Sequence, residues 1–227
     1  MTYQWDEFYI IFMILIIMSY RAALFDLDGT LVHTMPEYRY QIVGNALRDL
    51  GTTAPDHYID KFWFEARRND IIRDCFGVDP ELFWAAYQRY DIAELRRALT
   101  RPYDDTDVIQ ELRKRGYRTG IVTGAPLHIA SLEIEMLGKD NFDAVVNTHC
   151  HDGLKPKPYP HGIEKCMRLL CIGNNEALYV GNSDEDIMAA RNANVLDVLV
   201  LRNEHEFPHI KPSVTISSLY ELRQLLE

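Results

Sequence analysis

Two carboxylates stand one residue apart in FDLDGTLV, Phe25 to Val32, directly after the apolar run Ala22-Ala23-Leu24-Phe25. The run predicts a short buried strand, with Asp26 and Asp28 at or just beyond its carboxyl end. Residues i and i+2 of an extended chain point to the same side, so both carboxylates fit one small site. Such a pair suits a cation, a proton relay, or both. Three more polar segments follow apolar runs in the same manner: Thr123-Gly124 after Gly120-Ile121-Val122, GLKPKP (Gly153 to Pro158) after Val145-Val146 and a short loop, and GNSDED (Gly181 to Asp186) after Tyr179-Val180. Open α/β sheets bind ligands outside the carboxyl ends of their strands, so the four segments together mark one site.

That placement needs a parallel sheet, and the chain reads as one from Arg21 onward, where apolar runs alternate with helical patterns. Strands are expected at Ala22 to Phe25, Arg118 to Val122, Ala144 to Val146, Ala177 to Val180 and Val195 to Leu201, with Val214 to Ile216 at an edge. Helices are expected near Asp107 to Arg115, His128 to Leu137, His161 to Leu170, Asp184 to Asn192 and Leu219 to Leu226. The fold class is therefore α/β, a Rossmann-like doubly wound parallel sheet. His33 to Pro102 interrupts the rhythm: it holds no convincing strand and reads as about four helices, at Glu37 to Leu50, Ile59 to Ala66, Ile71 to Cys75 and Pro80 to Leu99. Thr34-Met35-Pro36-Glu37 resembles a capping box with Pro in the first turn. The expected organisation is an N-terminal extension (1–17), an α/β core (18–32 and 103–227) and an all-helical insertion (33–102) after the first strand.

The four segments, in this order, resemble the motifs of the haloacid dehalogenase superfamily of phosphohydrolases, and the likeness runs from Tyr20 to near the end of the chain. The resemblance implies that Asp26 takes the phosphoryl group as an aspartyl-phosphate and that Asp28 protonates the leaving oxygen and then activates water. Thr123 and the Gly124 amide would bind phosphoryl oxygens, and Lys155, preferred over Lys157 in KPKP, would be the fixed positive charge. The insertion would be a cap that closes over the site, with Arg67 and Arg68 as candidates to grip the far end of an anionic substrate. Mg2+ is the implied cofactor, held by Asp26, the Asp28 carbonyl, Asn182 or a water, and Asp186 directly or through water. Relatives commonly read GDSxxD where this chain has Gly181-Asn182-Ser183-Asp184-Glu185-Asp186. Asn182 offers a carbonyl oxygen but no charge, which points to weakened metal binding.

Asp28 argues against the family's dehalogenases and phosphonatases, which lack an acid there; the insertion also holds only one lysine, Lys61, for a phosphonatase-type Schiff base. The expected activity is a phosphatase acting on a small phosphate monoester. Two alternatives stay open: a phosphomutase of the same subfamily, and a non-catalytic relative that binds a phosphometabolite. Phe62-Trp63-Phe64 and Phe83-Trp84 read as packing inside the insertion.

Composition bounds the partners. The chain has 227 residues, 47% hydrophobic and 26% charged, with a formal net charge of -10, as for a globular protein with a proper core. An acidic surface gives no general attraction to nucleic acid or to an anionic membrane, so a phosphorylated metabolite must be held by a local cluster of cations. Ile10 to Met18 is too short to span a bilayer and lacks the preceding positive charge of a secretory signal. It is either a docking element or the product of a start codon upstream of Met18. Cys75, Cys150, Cys166 and Cys171 show no CxxC pair and are expected as reduced thiols in a cytoplasmic monomer or homodimer. The HCHD cluster, His149 to Asp152, lacks the partner pair that a zinc site needs and reads as an ordinary loop.

Overall fold

The computed structural model describes residues 20–65, 67–149 and 153–226. The N-terminal apolar stretch and most of the HCHD cluster, Cys150 to Asp152, lie outside the described residues.

Six strands form one parallel sheet: β1 (Ala22–Phe25), β4 (Arg118–Thr123), β5 (Ala144–Asn147), β6 (Ala177–Gly181), β7 (Leu196–Val200) and β8 (Val214–Ile216). Their order is β5-β4-β1-β6-β7-β8, with β1 paired to β4 and β6. All four side chains of β1 are buried, as a strand covered on both faces requires. Ala23 and Phe25 pack into one core layer with Val108, Ile109, Leu112 and Leu222. Ala22 and Leu24 pack into the other with Ile163, Cys166, Met167 and Ala190. These layers come from α6 (Val108–Lys114), α7 (Leu127–Leu137) and α10 (Leu222–Leu225) on one face, and α8 (His161–Leu170) and α9 (Asp184–Asn192) on the other. Gly120 lets α8 sit close: a Cβ there would meet Cys166 Sγ at 2.5 Å.

From β1 the sheet grows outward both ways, to β4 and β5 on one side and to β6, β7 and β8 on the other. The connections therefore diverge at β1 and leave a crevice above its carboxyl end. All four polar segments of the sequence open into that region.

The segment after β1 is helical: α1 (Pro36–Asp49), α2 (Asp56–Phe64), α3 (Arg68–Ile71) running into a π turn at Ile72–Phe76, α4 (Pro80–Tyr87) and α5 (Ala93–Leu99). Its own core gathers Tyr38, Ile42, Leu47, Phe62, Phe76 and Phe83. Three expectations change here. The insertion is not all-helical: short strands lie at its two ends, Val32–Thr34 and Thr100–Pro102, because the chain enters and leaves it side by side. The stretch from Pro80 to Leu99 is not one helix, because α4 ends at Tyr87 and a new helix starts only at Ala93. Thr34 does not cap α1: its N-cap is Met35, with no side-chain bond, and the helix instead starts on Pro36. Thr34 is drawn into β2 (Val32–Thr34), which pairs antiparallel with β3 (Thr100–Pro102). The two connections between sheet and helical unit thus run side by side as a ribbon.

Among the described residues no helix is long and apolar enough to cross a membrane. Cys75, Cys166 and Cys171 are free thiols.

Candidate active site

Asp26 follows β1 directly and continues its pairing, its N–H donating to the Val180 carbonyl at 2.9 Å. The chain then turns tightly: Leu31 N–H returns to the Leu27 carbonyl at 2.9 Å, and Gly29 takes φ +81°. Glycine is needed there twice over, for the left-handed backbone and because a Cβ would lie 2.4 Å from Asn182 Nδ2. The first and fourth segments are therefore pressed together. Arg202 braces the turn from β7's end, donating from Nη2 to the Thr30 carbonyl at 2.6 Å while pairing with Asp105.

GNSDED owes its shape to helix capping. Ser183 is the N-cap of α9; its hydroxyl accepts from the Asp186 N–H, and the Asp186 side chain accepts from the Ser183 N–H at 3.1 Å. This capping box turns Asp186 back toward the end of β6. Asp186 is thereby fully engaged: Oδ2 accepts from the Asn182 and Ser183 amides and the Ser183 hydroxyl, Oδ1 from Lys157 Nζ and the Tyr179 hydroxyl.

Lys157 lies at the centre. Its Nζ is 2.5 Å from Asp26 Oδ1 and 2.6 Å from Asp186 Oδ1, with a side chain 13% exposed. Burial disfavours the ammonium, but Asp186 and Asp26 outweigh that and hold its pKa well above the ordinary value. Burial pushes the Asp26 carboxyl up to about 7, against the pull of Lys157. A divalent cation on the other oxygen would draw it down again.

The lysine at the site is thus Lys157 and not Lys155, which corrects the preference drawn from KPKP. Lys155 is exposed, with its ammonium over the Tyr159 ring at 4.6 Å from the centroid. Thr123 is buried at the end of β4, and its hydroxyl accepts from the Ala125 N–H at 3.1 Å, which leaves its own hydrogen for a ligand. Gly124 beside it is exposed.

Asp28 faces the helical unit. Its Oδ1 accepts from the Thr34 hydroxyl at 3.3 Å, and its Oδ2 pairs with Arg96 Nη2 at 2.5 Å. Arg96 was not singled out in the sequence. The signal lay in its partner: Glu133 falls one helical turn after Ile129 on the apolar side of α7, where an acid needs a buried cation.

A cleft of about 710 Å³ lies between sheet and helical unit, lined among others by Asp26, Asp28, Thr123, Lys157, Trp63 and Arg68. Trp63 and Trp84 line it, so not all the insertion's aromatics are interior packing. Arg67 and Arg68 differ. Arg67 also lines the cleft, but it is largely exposed and paired with its neighbour Asp70 at 2.5 Å. Arg68 acts across the cleft on Glu185, offsetting part of the upward push that burial gives that carboxyl.

Among the described residues, Asp26 Oδ2 and Asn182 Oδ1 are side-chain oxygens that could hold a metal, and the Asp28 carbonyl is the third oxygen that the resemblance implies. Thr30 Oγ1 touches the two side chains at 3.0 and 3.1 Å, which places them together. This set fits a hard cation such as Mg2+, with little charge and several positions left to water or substrate. Asp186, expected among the ligands, has both oxygens committed to protein donors and holds Lys157 instead.

A family model described as haloacid dehalogenase-like hydrolase matches residues 23–200, and the chain belongs to that family. Within it, the chain is 28% identical over 224 residues to pyrophosphatase PpaX of Bacillus cereus (strain Q1), covering 92% of this chain and 97% of the relative. Pyrophosphatase PpaX of Halalkalibacterium halodurans is 27% identical over 217 residues, covering 92% and 98%. The crystal structure of a HAD phosphatase from Thermococcus onnurineus superposes with a TM-score of 0.68 at 26% identity, covering 91% of this chain and 97% of that one.

Lys157→Met should lower hydrolytic turnover by about 10²-fold or more, since it removes the cation fixed beside Asp26. Lys155→Met, measured on the same substrate, should stay within about threefold of the parent because its exposed ammonium sits over the Tyr159 ring, away from Asp26.

Proposed function

We propose that this chain is a Mg2+-dependent phosphatase that hydrolyses a small phosphate ester or anhydride through an aspartyl-phosphate on Asp26. The observation that carries the reading is the buried Asp26–Lys157–Asp186 array opening on a cleft that Asp28 also faces. Lys157 offsets the repulsion between the Asp26 carboxylate and an incoming phosphate dianion and stabilises charge on the phosphoryl oxygens as they become equatorial. Thr123 Oγ1 and the Gly124 amide take two of those oxygens. As the Asp26 oxygen bonds to phosphorus, the bond to the leaving oxygen breaks and Asp28 supplies its proton. In the second half, Asp28 takes a proton from water, the water oxygen bonds to phosphorus, and the Asp26–phosphorus bond breaks to release inorganic phosphate. Mg2+, when bound at Asp26, the Asp28 carbonyl and Asn182, supplies further charge neutralisation.

Residues 33–102 serve as the cap over this chemistry, and Arg68 is placed to meet an anionic group at the far end of the substrate. The pyrophosphatase relatives support inorganic pyrophosphate as a substrate beside small monoesters, since its leaving group is itself an anion. The free thiols Cys75, Cys166 and Cys171 support a reducing, cytoplasmic location.

Phosphate release from pyrophosphate and a panel of small monoesters should depend on Mg2+ and vanish in Asp26→Asn. Absence of release at high Mg2+, with interconversion of sugar phosphates instead, would indicate a mutase; ligand binding with neither would indicate a non-catalytic relative. Asn182→Asp adds a charged oxygen beside Asp26 and should lower the Mg2+ concentration for half-saturation by about tenfold. An unchanged Mg2+ titration would show that Asn182 lies outside the metal's reach.

A further inference from the structure

The guanidinium of Arg96 is a buried charge that the mechanism above leaves unused. Its side chain, 3% exposed, comes from α5 in the helical unit, yet it is held by two carboxylates that belong to the sheet's side of the cleft. Nη2 lies 2.5 Å from Asp28 Oδ2 and 2.6 Å from Glu133 Oε1, and Nε donates to the same Glu133 oxygen at 2.8 Å. The Tyr38 and Trp63 rings flank the guanidinium at 4.9 and 5.6 Å.

Glu133 is fully buried on α7, and its Oε2 meets no hydrogen-bond partner among the described residues. A buried acid with a spare oxygen is costly unless its other contacts matter. Here the contact fixes Arg96: with Nε and Nη2 on one carboxylate oxygen and aromatic rings around it, the guanidinium cannot swing freely into the cleft toward substrate. What it can still do is set the direction of Asp28. The other Asp28 oxygen accepts from Thr34, which lies in the ribbon leading to the helical unit. Both constraints on Asp28 therefore come from elements that enter or belong to that unit.

We propose that Arg96 is a positioning residue for the phosphoryl-transfer reaction: anchored by Glu133, it holds the Asp28 carboxyl where the leaving oxygen departs. The proposal rests on the reading of Asp28 as the general acid. It has a signature that a purely structural ion pair lacks. An alkyl phosphate expels a poor leaving group and needs the proton, whereas p-nitrophenyl phosphate expels a stabilised phenolate and needs it far less. The kcat/KM value isolates this first half-reaction, because it covers only steps up to departure of the leaving group.

The experiment compares kcat/KM for glycerol phosphate and p-nitrophenyl phosphate in the parent, Arg96→Met, Arg96→Lys and the double variant Arg96→Met/Glu133→Gln. The double variant removes Arg96 together with the fully buried Glu133 charge, so the only carboxylate that loses its cation is the partly exposed Asp28, and the test stays valid if Arg96→Met does not fold. The expected result is a loss on the alkyl ester at least about 30-fold greater than on the aryl ester in both Met variants, with partial recovery in Arg96→Lys. Equal losses of kcat/KM on the two esters would overturn the proposal and leave Arg96 a structural or substrate-binding residue. Failure of the parent to release phosphate from pyrophosphate and from both esters, or release undiminished in Asp26→Asn, would instead overturn the phosphatase reading beneath it.

Discussion

A buried ammonium between two buried carboxylates is the constraint on which this site depends. Lys157 cannot lose either neighbour cheaply, since removing one partner of such a group costs about 3–5 kcal/mol. The surrounding structure is arranged to keep both. Asp26 is fixed by its pairing at the end of β1, and Asp186 by the Ser183 capping box and the Tyr179 hydroxyl. Gly181 is required as well, because a Cβ there would collide with the Asp186 carboxyl at 2.3 Å. Strand order supplies the rest: β1 and β6 are neighbours, so their carboxyl ends bring the two acids within reach of one amine.

The same arrangement explains how an acidic protein can receive an anion. With a net charge of -10, the surface as a whole repels a phosphate. The cleft offsets this locally, through Lys157 beside Asp26 and Arg68 on the facing helical unit. Asn182 works in the same direction. On the proposed reading, an amide at this position leaves one fewer negative charge near the phosphate than a carboxylate would, and one fewer charged oxygen for the cation.

Most of the sheet was legible because its signals are local. Short apolar runs, alternating with helical periodicity, marked all six strands, and DLDGT, Thr123-Gly124 and GNSDED stood after them. The failures share a physical cause, which is that side-chain direction in a loop depends on distant partners. In KPKP the two lysines are two residues apart and chemically identical; the choice was made by Tyr159, which offers Lys155 an aromatic face, and by the loop path that aims Lys157 inward. Thr34 looked like a cap from its neighbours alone, but pairing with β3 directs its hydroxyl to Asp28 and Thr100. Arg96 stood next to Arg97 with nothing in the helix to distinguish them. Only the acid buried in α7, remote in sequence, decides that Arg96 is interior, while Arg97 meets the exposed Glu135.

If Asp26 carries the phosphoryl group, quenching the enzyme during turnover traps an acyl phosphate that borohydride reduces and peptide mapping locates. The expected result is conversion of Asp26 to homoserine, dependent on substrate. Phosphate release without reducible label at Asp26, or label on another carboxylate, would contradict it.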